Sequence, residues 1–280
     1  MGSCVRGERD GVEYRAAMNL DLKDKVIVVT GASKGIGLAV VKVLAREGTR
    51  IIAGSRTVTS ELTGLRDIHD LTVITVDLAT ANGPGSLIDA AVKRHGKIDV
   101  LVNNVGIASA RSGFLDISDD EWQRVFNLTF FSAVRASRAA LPHLVASRGA
   151  IINVGSINAR LPFPMVVDYS AAKAALSNLS KALSEEFAPR GVRVNVVAPG
   201  PVRTPFWTDP GGFADVVASG SGVSAKTALD ETVPRNMGIS TGRVTEADEV
   251  ANLIAYLASS RAANITGAEF VIDGGQIKTT

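Results

Sequence analysis

Residues 25–44 read KVIVVTGASKGIGLAVVKVL. A β-branched run from Lys25 ends in the turn Thr30-Gly-Ala-Ser-Lys-Gly-Ile-Gly37 and passes directly into an apolar-periodic stretch. The order is strand, glycine turn, helix. Glycines at such a turn let backbone amides approach a pyrophosphate, and the helix N-terminus favours its negative charge. The spacing is Gly-x-x-x-Gly-x-Gly rather than Gly-x-Gly-x-x-Gly, and its placement between strand and helix is what marks a dinucleotide site.

Outward from this turn, short β-branched runs alternate with amphipathic stretches, the pattern of a parallel sheet flanked by helices. Strands are predicted at 25–30, 50–55, 72–77, 98–103, 150–155, 193–198 and 269–272. Their near-continuous apolar character, as in Val26 to Val29, fits burial on both faces. The predicted fold is α/β, a doubly wound parallel sheet of seven strands with function at the strands' carboxyl ends. Ser118-Asp-Asp-Glu121 reads as a capping box opening one long helix to about Ala146. Gly96, after Lys93-Arg94-His95, reads as a helix stop, and Thr245-Glu-Ala-Asp248 as the cap of the last helix. Residues 1–20 lack periodicity and are expected to be a mobile extension, with Met18 a candidate initiator. Residues 21–280 are expected to form one domain, with an irregular stretch from Arg203 to Gly242 serving as a lid.

At 280 residues and 46% hydrophobic content the chain can bury a sizeable core. Its formal charge of +2 comes from scattered basic residues, so neither nucleic acid nor an anionic membrane is an expected partner. Small molecules are. The single cysteine, Cys4, excludes an intramolecular disulfide, and His69, His95 and His143 lack metal-ligand spacing, so no metal is expected. No apolar run approaches the ~20 residues of a membrane span and the start has no apolar signal core, which predicts a cytoplasmic protein.

The chemistry centres on Tyr169 and Lys173 in Asp-Tyr-Ser-Ala-Ala-Lys. Four residues apart on a helix, they share one face. A phenol ionises near ~10, and Lys173 is placed to lower that value. Lowering it by about three units takes roughly 4 kcal/mol of preferential interaction. At the end of the second strand no acid lies between Glu47 and Glu61 to meet a ribose 2′-hydroxyl; Arg56, with Lys34 in the glycine turn, suits a 2′-phosphate. NADP(H) is favoured over NAD(H). Asp77 is a candidate for the adenine amino group, and Asn103-Asn-Val-Gly106 offers compact polar backbone beside the cofactor.

The ordered set Thr-Gly-x-x-x-Gly-x-Gly at 30–37, Asn-Asn-x-Gly at 103–106, Asn127, Ser156, Tyr-x-x-x-Lys at 169–173, Pro199-Gly200 and Asp273-Gly-Gly275 resembles the short-chain dehydrogenases/reductases. The resemblance runs from about Leu20 to Ile277. It implies a three-layer Rossmann fold, a homotetramer or homodimer built on two long central helices, and hydride transfer between a carbonyl and a secondary alcohol. It assigns Tyr169 as general acid/base, Lys173 as its partner and ribose ligand, Ser156 as the anchor of the substrate oxygen and Asn127 as a water-holding relay. Against the cofactor it places Gly31, Ser33, Lys34, Gly35, Ile36 and Gly37, then Ser55, Arg56, Asp77, Leu78, Asn104, Val105 and Gly106. Later in the chain it adds Tyr169, Lys173, Pro199, Gly200, Val202 and Thr204, the last toward the nicotinamide carboxamide. Val105 stands where alanine is usual in the family, and Arg160 where glycine is frequent.

Substrate walls are expected from 107–114, 157–167 and 206–237, contributing Phe114, Leu161, Phe163, Met165, Phe206, Trp207 and Phe213, with Arg111 and Arg160 nearby. The residues do not separate a 3-oxoacyl-thioester reductase from a sugar/polyol or steroid-like dehydrogenase. A non-catalytic dinucleotide sensor is the competing class, and an intact Ser156, Tyr169 and Lys173 argues against it. A Ser-His-acid hydrolase finds no strand-end histidine.

Overall fold

Val26–Thr30 forms β1 with all five residues buried, and the chain turns through the glycines into α1, Gly35–Arg46. The computed structural model describes residues 19–279. After α1 come β2 (Arg50–Ser55), α2 (Ser60–Arg66), β3 (Leu71–Thr75), α3 (Gly83–His95) and β4 (Val100–Asn103). The second half runs through α4 (Asp119–Phe126), α5 (Ser132–Ser147), β5 (Ala150–Val154), α6 (Val167–Phe187) and β6 (Arg193–Pro199). A two-residue strand β7 (Val202–Arg203) leads into α7 (Pro205–Thr208), α8 (Phe213–Ser221), α9 (Ala225–Thr227) and α10 (Val233–Asn236). The chain closes with β8 (Thr245–Glu246), α11 (Ala247–Ala258) and β9 (Glu269–Ile272).

Seven parallel strands lie in the order β3-β2-β1-β4-β5-β6-β9, so the order reverses beside β1 and opens a crevice at its carboxyl end. The expected doubly wound Rossmann-type sheet is present. Alternation along each strand explains its unbroken apolar run. Ile27 and Val29 point into a core shared with α1 and α11, while Val28 points into the opposite core shared with α3 and α5. Between β4 and β5 the sheet also carries buried amides. Asn103 donates to Ser137 on α5 at 3.1 Å and to Asn153 on β5 at 2.9 Å, and Asn153 donates to Ser180 on α6 at 2.7 Å. This chain of hydrogen bonds fixes both long helices against the strands that carry the site.

The expected long helix from Ser118 is interrupted. Ser118 and Glu121 do form the capping box, but residues 127–131 make a π turn between α4 and α5. The extra residue in that turn rotates α4 about its axis relative to α5. Gly96 ends α3 in the left-handed region, at φ 72°, as predicted. The last helix is capped one residue later than expected: Glu246 and Glu249 form the reciprocal cap, because Thr245 is taken into the bridge between β7 and β8.

The stretch 203–242 is largely helical rather than irregular. Its small residues hide an apolar cluster of Trp207, Ala214, Leu229, Val233, Ile239 and Val244, separate from the two sheet cores. Asn19 and Leu20, assigned to the extension, are tied down. The Asn19 carbonyl accepts from Arg261 Nε at 2.7 Å, and Leu20 packs on the sheet core. Met18 and the rest of the expected extension lie outside the described residues.

Candidate active site

The glycine turn is held by the loop after β4. Asn104 Nδ2 donates to the carbonyls of Thr30 at 2.9 Å and Gly31 at 3.1 Å, and its backbone N–H donates to Thr30 Oγ1 at 2.9 Å. A Cβ on Gly37 would collide with the Gly31 carbonyl and with Asn104 Nδ2, so only glycine fits. The Asn104 side chain is thus committed to shaping the turn. The start of α1 has neither a side-chain cap nor an acidic residue in its first turn, which leaves its amides open to an anion.

Thr59 Oγ1 donates to the Ser33 carbonyl at 3.3 Å, which draws the loop after β2 against the glycine turn. Arg56 is exposed there and, among the described residues, has no ion-pair partner. Lys34 is also exposed, 3.9 Å from Asp209. Ser55 is buried, with its hydroxyl spent on the Thr57 carbonyl at 2.8 Å. Asp77 lies past the end of β3 and accepts from Ala79 N–H at 3.0 Å. Leu78 and Val202 are core residues, and Val202 also borders the cavity described below. A glycine cradle and an open helix N-terminus fit the pyrophosphate of a nicotinamide dinucleotide.

Ser156, Tyr169 and Lys173 line one cavity of about 480 Å³ with Asn104, Gly106, Pro199, Gly200 and Thr204. Ser156 follows β5 in an extended conformation, buried, with Oγ accepting from Asn158 N–H at 3.1 Å. Lys173 is 2% exposed; its Nζ donates to the Val154 carbonyl at 2.5 Å and lies 5.5 Å from the centroid of the Tyr169 ring. Burial pushes the Tyr169 phenol up to about 12, opposed by hydrogen bonding with Ser156, and pushes the Lys173 ammonium down to about 7. In the ligand-free chain Lys173 does not offset this burial. In this chain alone, desolvation governs both groups and keeps the phenol protonated at neutral pH.

Asn127 does not reach the cavity. Its Oδ1 accepts from Arg135 Nη2 at 3.3 Å, and Arg135 also donates to the Ala79 carbonyl at 3.2 Å. The π turn brings Thr129 round instead: fully buried, it borders Gly106 beside Lys173, and its Oγ1 accepts from Ile107 N–H at 3.2 Å. No sequence signal marked Thr129, because the turn leaves the apolar periodicity unbroken.

Leu161, Phe163, Phe206, Trp207 and Phe213 line the cavity as expected. Phe114 does not: it is 63% exposed and meets Trp122 edge-on at 6.3 Å. Met165 is also outside the lining, and its carbonyl accepts from Arg111 N–H at 2.9 Å. Both arginines are paired within the chain, and neither lines the cavity. Arg111 pairs with the buried carboxylate of Asp168 and with Glu121, and Arg160 lies 2.9 Å from Glu269. Three lining carboxamides were not anticipated, Asn158, Asn236 and Gln276; the last follows Asp273-Gly-Gly275 directly, which could have drawn notice to it.

Residues 25–211 match the family model described as short chain dehydrogenase. The chain is 34% identical over 265 residues to a 3beta-hydroxysteroid dehydrogenase 1 of Eggerthella lenta, covering 91% of this chain and 94% of that one. It is 33% identical to a cis-4-hydroxycyclohexanecarboxylate dehydrogenase of Sinomonas cyclohexanicum, covering 90% of this chain and 96% of the relative. Among solved structures, L-sorbose reductase of Gluconobacter frateurii, complexed with NADPH and L-sorbose, superposes with a TM-score of 0.87 at 32% identity. That match covers 94% of this chain and all of the other. Among the described residues no helix is long and apolar enough to cross a membrane.

Proposed function

The chain belongs to the short chain dehydrogenase family, and from that premise we propose that it is an NADP(H)-dependent oxidoreductase interconverting a carbonyl and a secondary alcohol. The observation that carries this reading is the convergence of Ser156, Tyr169 and Lys173 on one cavity beside the glycine turn. A related reductase solved with NADPH supports the choice of cofactor class, and Arg56 and Lys34 support the 2′-phosphate.

Bound there, the reduced nicotinamide supplies a hydride. The chain supplies the rest. The Ser156 hydroxyl donates a hydrogen bond to the substrate oxygen and fixes its position. Tyr169, protonated at neutral pH because it is buried, donates a proton to that oxygen as negative charge develops. In the reverse direction the phenolate must accept that proton, and a charged Lys173 then stabilises it. Leu161, Phe206 and Trp207 form an apolar wall beside the reacting carbon, and 203–242 acts as a lid over it. The assembly is a homodimer or homotetramer, for which the apolar groove between α5 and α6, lined by Leu141, Val145, Leu183 and Phe187, is the contact face.

Parallel titrations with NADPH and NADH, then turnover of a ketone panel, test the reading. Native protein binds NADPH more tightly; Arg56→Ala weakens NADPH by at least about tenfold and NADH little. Tyr169→Phe keeps its nucleotide affinity and loses at least about a hundredfold in kcat. Equal losses for the two nucleotides, or undiminished turnover without the phenol, defeat the respective assignment.

A further inference from the structure

Apart from Tyr169 and Lys173, the cavity lining contains no ionisable side chain. Its remaining polar side chains away from the glycine turn include the neutral carboxamides of Asn158, Asn236 and Gln276. Gln276 differs in being both clamped and unsatisfied. The Asp273 carboxylate accepts from Gly275 N–H at 2.8 Å and from Ile277 N–H at 2.7 Å, which grips the backbone on either side of Gln276. Lys278 then donates to the Gly238 carbonyl at 2.7 Å and to Ser240 Oγ at 2.8 Å, strapping the same segment to the lid. Gly200 packs directly beneath. A Cβ on it would meet Asp273 Cβ at 2.8 Å and Gln276 Oε1 at 3.4 Å. So held, Gln276 Oε1 is buried without a hydrogen-bond partner. A buried acceptor left unpaired costs the fold stability; Gln276 lines the cavity, and a turn of its terminal amide presents that oxygen to a donor arriving with the ligand.

The segment lies just past β9, two strands from β5 and Ser156. At a strand spacing of about 4.8 Å, that places it roughly 10 Å across the sheet from the reacting end. Resting on the oxidoreductase reading above, we propose that Gln276 is a specificity-determining residue whose amide oxygen accepts a hydrogen bond from a substrate hydroxyl remote from the reacting carbonyl. The substrate class is then an uncharged, hydroxylated ketone with a compact apolar body, and its product a diol. A carboxylate in the same place finds no cation in the lining: Arg111 and Arg160 are engaged by acids of the chain itself, and Lys278, outside the lining, donates to Gly238, Ser240 and Gly275.

The test compares cyclohexanone, 4-hydroxycyclohexanone and 4-oxocyclohexanecarboxylate in native protein, Gln276→Leu and Gln276→Glu, with NADPH affinity measured for each. In native protein kcat/KM for the hydroxy ketone exceeds that for cyclohexanone at least about tenfold, mostly through KM, and the carboxylate is the poorest substrate. Gln276→Leu brings the ratio to about one with NADPH affinity retained, and Gln276→Glu, which keeps an acceptor, keeps the preference. An unchanged ratio in Gln276→Leu overturns the proposal, as does a preference for the carboxylate. Weakened NADPH binding with the ratio intact also overturns it, by assigning the amide to the cofactor. Calorimetry of 1,4-cyclohexanediol against cyclohexanol, with NADP present, separates this inference from its premise. Hydroxyl-dependent binding without turnover of any ketone sinks the oxidoreductase reading and keeps the Gln276 contact. Turnover without hydroxyl dependence does the reverse.

Discussion

Lys173 gives up its proton near pH 7 in the folded chain and near 10.5 in an unfolded one. Between those values the unfolded state binds more protons, so folding stability of the ligand-free protein rises with pH. Tyr169 acts in the opposite sense but only above pH 10, where the folded chain keeps the phenol proton up to about 12. From pH 7 to 9 the native protein therefore gains up to about 2–3 kcal/mol relative to Lys173→Met. Denaturant melts of both proteins across that range measure it, and parallel profiles would discard the idea. The placement of this pair was legible, since four-residue spacing on a helix is a local rule. Its electrostatics were not, because desolvation depends on what packs over the ammonium. Asn127 was misplaced for a related reason: the π turn that turns Thr129 toward Gly106 obeys no pattern that a residue count reveals.

Among the elements, the start of α6 is fixed from outside. Arg111, on the loop after β4, reaches the fully buried carboxylate of Asp168, the residue before Tyr169, and also Glu121 on α4. Removing one partner of a buried pair leaves the other charge uncompensated. Arg111→Ala should lower stability by about 3 kcal/mol in a denaturant titration, and by more than Arg160→Ala, whose own side chain is 53% exposed although its partner Glu269 is only 12% exposed. Equal costs would show that Arg111 does not anchor the helix. From sequence both arginines read as charges at a substrate mouth, because the acids that claim them are distant along the chain. The strands, by contrast, were legible to within a residue or two, since burial on both faces demands an unbroken apolar run. The stretch 203–242 was harder to read, as Gly, Ser and Thr outnumber the apolar residues that it gives to its cluster.

For the whole molecule, the groove between α5 and α6 leaves apolar side chains on one outer face of the sandwich. If two copies meet there, Leu183→Asp places a charge in the contact and shifts the native oligomer to monomer in light scattering, with the circular dichroism spectrum preserved. A native monomer, or an unaffected oligomer, rules that face out. Sheet order and handedness of connection obey general rules, whereas surface pairing depends on shape that one sequence does not display.

Because Trp207, Ala214, Leu229, Val233, Ile239 and Val244 pack among themselves rather than into the sheet cores, the segment that shapes the substrate wall is a nearly self-contained cassette. Substitutions inside it can accumulate without loosening the nucleotide half. A descendant of this chain that exchanges 205–244 and keeps Thr204 changes the cavity wall while the residues placed against the cofactor stay as they are.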